Sequence, residues 1–123
     1  MSDLLVNVDD VSLSARWSDD APTARAAVER ALPVSGDATR WGDELYFGTD
    51  IDASPENTTV EVPPGAIAYW PQGNAICLFW GPTPASVDGE PRAASPVAIV
   101  AEIEDVSPLD NVAGDARVEI DTA

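Results

Sequence analysis

Glu44 and Tyr46 are the residues of this chain best spaced to act on a ligand. They stand two apart in Glu44-Leu45-Tyr46-Phe47, and in an extended segment that spacing puts both on one face, opposite Leu45 and Phe47. A carboxyl on a partly covered face loses hydration when ionised, which suits it to bind or protonate a ligand. The plain alternative is a solvated carboxylate in an acidic protein. Cys77 lies between Ile76 and Leu78, and with no histidine anywhere to activate it it reads as a buried, inert thiol. Thr83 and Ser95 offer hydroxyls but have no base for nucleophilic chemistry. Asp50-Ile51-Asp52 brings two carboxylates toward a hard cation, too few for a calcium shell, so it reads as a solvated loop. There is no glycine-rich phosphate loop and no zinc-ligand spacing. Binding therefore stands ahead of catalysis, with no catalytic residue, cofactor or metal expected.

The elements that must position these groups are mostly short strands. Leu4–Val8 and Val11–Trp17 flank a turn at Asp9-Asp10 and read as a hairpin, the second strand alternating Val11, Leu13, Ala15 and Trp17 with polar neighbours. Ser18-Asp19-Asp20-Ala21-Pro22 opens a helix with acids near its positive end, and Ala24, Ala27, Val28 and Ala31 follow at helical spacing until Pro33 closes it. Ser35-Gly36-Asp37 returns the chain to strands. Ala38–Trp41 and Glu44–Gly48 flank a turn at Gly42-Asp43, and residues 51–58 form a loop. Thr59–Val62, Ala66–Trp70 and Ala75–Trp80 are three more strands, broken by Pro63-Pro64-Gly65 and Pro71-Gln72-Gly73-Asn74. A long proline-bearing loop from Gly81 to Ala94 leads to the longest strand, Pro96–Glu104. Ser107-Pro108-Leu109 opens a single helical turn, and Arg117–Asp121 is a closing strand. The pattern predicts a mainly β fold: a closed or nearly closed β-barrel of about eight strands, one clear α-helix across an opening and a second short one. It reads as one domain over residues 1–123 without internal repeats.

Between Val62 and Val87 there is no Asp, Glu, Lys or Arg, although 23% of the chain is charged. The same stretch holds Tyr69, Trp70, Phe79 and Trp80, half of the aromatic residues. Such a segment is either buried on both faces as central strands or left bare for contact. Rigid turns at its strand ends, with aromatic rings and a few amide and hydroxyl groups, suit a small-molecule or peptide pocket. We therefore expect a walled interior with a mouth, and a ligand site at Trp41, Glu44, Tyr46, Tyr69, Phe79 and Thr83. Tyr69 and Trp70 are adjacent in one strand and point to opposite faces, so at most one of them lines any single pocket.

The remaining function classes are bounded by charge. Six arginines, no lysine and 22 acids give a net charge of −16. That excludes a nucleic-acid backbone as partner, which needs clustered cations. The acids are scattered along the chain, whereas a carboxylate mimic of DNA would mass them on one face. Scattered surplus carboxylate favours solubility at the cost of self-repulsion, which concentrated salt screens. The expectation is a halophile's cytoplasmic protein: the first residues, Met1-Ser2-Asp3-Leu4, lack the basic start and apolar core of a signal peptide, and no apolar run is long enough to span a membrane. One cysteine excludes an internal disulfide. The sequence leaves the oligomeric state open.

Three stretches resemble a known family. They are Trp41-Gly42-Asp43-Glu44-Leu45-Tyr46-Phe47, the long run from Gly65-Ala66-Ile67-Ala68-Tyr69-Trp70 through Phe79-Trp80-Gly81-Pro82-Thr83-Pro84, and Ala94-Ser95-Pro96-Val97. In these the chain resembles the small prokaryotic cyclophilin-like proteins, stand-alone barrels of unassigned role, and the resemblance implies an eight-stranded barrel capped by helix. Gly65-Ala66-Ile67-Ala68-Tyr69 is also similar to the strand leading into the active-site wall of true cyclophilins, and Phe79-Trp80 to their paired phenylalanines. The Phe-His-Arg motif, whose arginine assists rotation about the prolyl amide, is absent. Glu44 and Tyr46 are its nearest match in order, and the contexts of Arg40 and Arg92 do not fit. The expected function is accordingly a non-catalytic binder of a small molecule or extended peptide. The alternatives are a prolyl isomerase with a divergent site, or an interaction module or subunit of a larger enzyme assembly. That last reading calls for Trp70 or Trp80 exposed beside other apolar side chains.

Overall fold

The computed structural model describes residues 2–112 and 114–123. Its first hairpin pairs β1 (Leu4–Val8) with β2 (Val11–Trp17), and Val8 lies opposite Val11, so Asp9-Asp10 is a two-residue turn with Asp9 at φ 51°. A short acid tolerates that left-handed conformation. The Asp9 carboxylate also accepts the backbone N–H of Arg117 at 2.9 Å, tying the turn to the neighbouring strand.

Helix α1 (Pro22–Ala31) has proline in its first turn and buries Ala24, Ala27 and Val28 as their spacing predicted, whereas Ala31, expected on the same face, ends the helix exposed. β3 (Val34–Arg40) starts earlier than its sequence suggests, because Ser35-Gly36-Asp37 pairs with the last strand instead of looping. β4 (Glu44–Gly48), β5 (Thr59–Glu61), β6 (Ala66–Trp70) and β7 (Ala75–Phe79) fall where expected. β8 (Arg92–Ile103) reaches back into the predicted loop, a 3-10 turn spans Ser107–Asn111, and β9 (Asp115–Thr122) closes the chain.

The strand order β2-β1-β9-β3-β4-β7-β6-β8 returns to β2 through the pairs Ala15↔Ile103, Arg16↔Glu102 and Trp17↔Ala101, so eight strands form a closed ring. β5 attaches outside it, to β8. Closure removes every edge within the ring.

Two apolar layers result. The inner layer holds Leu4, Val6, Val8, Leu45, Phe47, Ile67, Tyr69, Ile76, Leu78, Val118 and Ile120, together with the buried face of α1. Beside this layer, at one end of the ring, opens a cavity of about 700 Å³ lined among others by Ala27, Val34, Thr49, Asp50, Ile51 and Asn74. The outer layer lies on the other face of β6, β7 and β8 and contains Ala66, Ala68, Cys77, Phe79, Val97 and Ile99, covered by Val62 and Ala93. β6 and β7 are thus buried on both faces, which accounts for most of the uncharged segment.

A bulge in β8 sets where these layers meet. Ile67 pairs with Ala101 and Ala68 with Ile99, so Val100 has no partner and the strand's alternation shifts by one. Downstream, Ala101 and Ile103 face inward; upstream, Ala98 and Val100 do, leaving Val97 and Ile99 for the outer layer.

Candidate functional site

Where the outer layer runs out, the covering segment leaves a pocket of about 230 Å³ lined by Trp41, Glu44, Tyr46, Trp70, Cys77, Ala93, Ala94, Ser95 and Val97. The register explains the grouping. On β4 Glu44 lies opposite Phe79 and Tyr46 opposite Cys77, and Cys77 in turn lies opposite Ala68 on β6. Outward residues of three adjacent strands therefore form the floor, and the first residues of β8 form the far rim.

Trp41 is held by the turn it sits in. Its N–H donates to the Glu44 carbonyl at 2.8 Å, and Arg40 braces the turn by donating to the carbonyls of Gly42 and Val112 and to the Asp43 carboxylate, each at 2.8–2.9 Å. The Arg40 guanidinium also lies 5.3 Å from the Trp80 ring centre, stacking on an aromatic face. Gly42 adopts φ +64° against the next loop, where a Cβ would stand 2.8 Å from Thr83 Cα; no other residue fits there.

Trp70 is fixed as firmly. Its Nε1–H donates to Ser95 Oγ at 2.5 Å, and Gly73 packs so close that a Cβ would meet the indole at 2.5 Å. Tyr46 stands against it at 88°, ring centres 6.4 Å apart, in the edge-to-face arrangement that aromatic quadrupoles favour. All three rings are half-buried, with part of each open to the cavity.

Glu44 differs from every other acid in the chain. It is 5% exposed, and apart from Thr83 it is the only polar or charged residue buried among those described. Its pKa is pushed up to about 7, chiefly because burial strips water from the carboxylate, with the Cys77 thiol partly offsetting this by donating to it. Burial, with the Glu44 charge beside it, pushes the Cys77 thiol well above its ordinary range. No arginine lines the pocket. Arg92 pairs instead with Glu61 at 3.0 Å and Glu90 at 3.3 Å.

Of the residues expected at a site, Trp41, Glu44 and Tyr46 come together here. Phe79 is on the same face but fully buried under the covering segment. Thr83 lies outside the pocket; its hydroxyl donates to the Arg92 carbonyl at 2.6 Å, fastening the loop that precedes β8. Tyr69 points the opposite way, into the ring, where its hydroxyl donates to the Ile51 carbonyl at 2.9 Å. Its neighbour Trp70 is the member of the pair that reaches the pocket, as the alternation of an extended strand requires. Tyr69→Phe is accordingly expected to cost about 1 kcal/mol of stability in urea denaturation. Trp70, Cys77 and Ser95 were missed as site residues. The usable signal was the period-two relation of Trp70 to Ala68 and of Cys77 to Phe79, but it names a face without saying which face has the cavity.

Other features carry less. Among the described residues no three His, Cys, Asp or Glu side chains gather as a metal site, and no helix is long and apolar enough to cross a membrane. Trp80 is buried, whereas Trp70 is half-buried beside Tyr46 and Trp41 at the pocket.

The whole chain is similar to a hypothetical protein from Archaeoglobus fulgidus known from its solution structure, with a TM-score of 0.78 at 34% identity, covering 99% of this chain and 95% of that one. It is also similar in fold to McbB, solved in complex with tryptophan, with a TM-score of 0.71 at 13% identity over 96% of this chain and 44% of the other. No curated protein matches the sequence. The model of the family described as cyclophilin-like matches residues 2–121, and with the closed ring and capping helix already in view, the chain belongs to the cyclophilin-like family.

Proposed function

We propose that this protein is a binder of small molecules, or of a short side chain from an extended peptide, through the outer-face pocket around Glu44. The observation that carries the reading is a buried carboxyl left facing a cavity walled by three half-buried aromatic rings. A site of that kind, mostly apolar with one oriented polar group, is what ligand pockets require. At about 230 Å³ it suits a ligand smaller than the drug-sized molecules held by cavities of roughly 300–1,000 Å³. The bound tryptophan of McbB is compatible with the fold hosting such a ligand, although that protein is only 13% identical. The reading includes a salt-rich cytoplasmic setting, supported by the net charge of −16. No observation favours prolyl isomerisation, since the arginines nearest the pocket are engaged with Asp43, Glu61 and Glu90.

The test is a panel of small aromatic, apolar and cationic fragments and proline-containing dipeptides, followed by NMR shifts in molar salt. Shift changes are expected at β4, β7 and the start of β8. Ala94 is exposed at the rim, so Ala94→Trp fills the opening without disturbing the core, and it is expected to abolish those shifts. Binding that persists in Ala94→Trp, or shifts elsewhere on the ring, would place the site away from this pocket.

A further inference from the structure

The lining of the pocket also specifies the charge of its ligand, provided the pocket is the binding site. We infer that it is a cage for an alkylated ammonium group, with the rings of Trp41, Tyr46 and Trp70 as walls and Glu44 as counter-ion. Aromatic rings attract a cation through their quadrupoles, most strongly where water is excluded, and cages of this composition recognise quaternary and methylated ammonium groups. Tyr46 and Trp70 already stand at right angles, as two walls of such a cage must, and Ser95 and Gly73 hold the indole in place before any ligand arrives.

Glu44 decides between a cation and a neutral guest. A pocket for a neutral apolar ligand gains nothing from a buried carboxyl, and burying one without a cationic partner is costly. That cost is offset when the ligand itself supplies the positive charge. No Arg lines the cavity to do so from the protein's side. An anion is disfavoured twice, by Glu44 and by a surrounding surface of net charge −16, which concentrates cations near the opening. A primary ammonium is strongly hydrated and would find only Glu44 and Ser95 as side-chain acceptors among the rings and methyl groups, poor replacement for the water on its three donors. An alkylated one gives up less water and fills the apolar volume.

The chemistry is shared by free alkylammonium solutes and by a methylated lysine side chain, and the experiment separates them. Choline and its neutral isostere 3,3-dimethyl-1-butanol have nearly the same shape and differ in charge. In titrations at constant molar salt, above the pH range in which Glu44 ionises, choline is expected to bind about tenfold more tightly than the isostere. Glu44→Gln and Trp41→Leu should each erase that preference, read as the ratio of the two affinities within the same variant. A short peptide carrying trimethyl-lysine forms the third arm. Tighter binding than choline supports the cage and identifies a peptide side chain as the guest; weaker binding supports it and identifies a free solute. If the isostere binds as well as choline, the cation inference is overturned while the pocket remains a binding site. Should choline and the trimethyl-lysine peptide both fail to perturb the pocket, the inference also falls. The binding reading falls with it only if the whole fragment panel is silent too.

Discussion

Transfer from molar salt to dilute buffer is expected to unfold this protein or to lower its Tm by on the order of 20 °C. The physical reason is the imbalance between 22 acids and six arginines. Each arginine that forms an ion pair does so with one or two acids: Arg16 with Glu104, Arg25 with Asp19, Arg40 with Asp43, Arg92 with Glu61 and Glu90, and Arg117 with Asp37. The other carboxylates lack a cation among the described residues. In about 1 M salt their repulsion is screened beyond roughly 3 Å, whereas in about 0.01 M salt it reaches roughly 30 Å, across the whole molecule. Folding confines those charges, so the unscreened cost falls on the native state. A domain of this size has only about 5–15 kcal/mol of stability in total, and each lost kcal/mol lowers Tm by a few degrees. Circular dichroism melts over a salt series check the expectation. A Tm that is flat from molar to millimolar salt would contradict salt adaptation.

Glu44 provides the second large effect, a pH-dependent loss of stability that the variant Glu44→Gln removes. The carboxyl ionises near its ordinary 4.5 when unfolded and at about 7 when folded. The native state therefore binds the proton more tightly, and the contribution is fully present below pH 4.5. It declines as pH rises through the window from 4.5 to about 7, where the folded protein must also give up the proton. The loss across that window amounts to about 3 kcal/mol. Burial and the Glu44 charge push the neighbouring Cys77 thiol well above its ordinary range, away from this window, so the slope belongs to Glu44. Lowering the pH also reduces the protein's overall charge, which makes the difference between wild type and variant the informative quantity. Denaturant unfolding should show the Gln variant gaining stability on wild type as pH rises to 8, and equal slopes for the two would refute the assignment. A residue that weakens the native state at neutral pH fits the proposed binding role, because stability and site construction commonly conflict. A bound cation would reverse the effect, favouring the ionised carboxylate and releasing a proton on binding.

The strand and helix pattern was legible in the sequence wherever local physics acts alone. The apolar spacing of Ala24, Ala27 and Val28 sets the helix face, and the pairing of Glu44 with Tyr46 on one side of β4 follows from the two-residue period. The uncharged stretch from Val62 to Val87 admitted either strands covered on both faces or a surface left bare for contact, and local pattern did not choose between them. Tertiary structure decided which side of the sheet became the pocket. Tyr69 and Trp70 are equivalent candidates in the chain, and only ring closure sends the first into the packed interior and the second outward. The bulge at Val100 and the way Thr83 fastens the loop ahead of β8 place Ser95 and Ala94 over Cys77. Those contacts join residues far apart in sequence, and no periodicity encodes which of two faces a distant segment will cover. The residue types that make the chemistry are therefore written locally, whereas the cavity that brings them together exists only once the ring has closed.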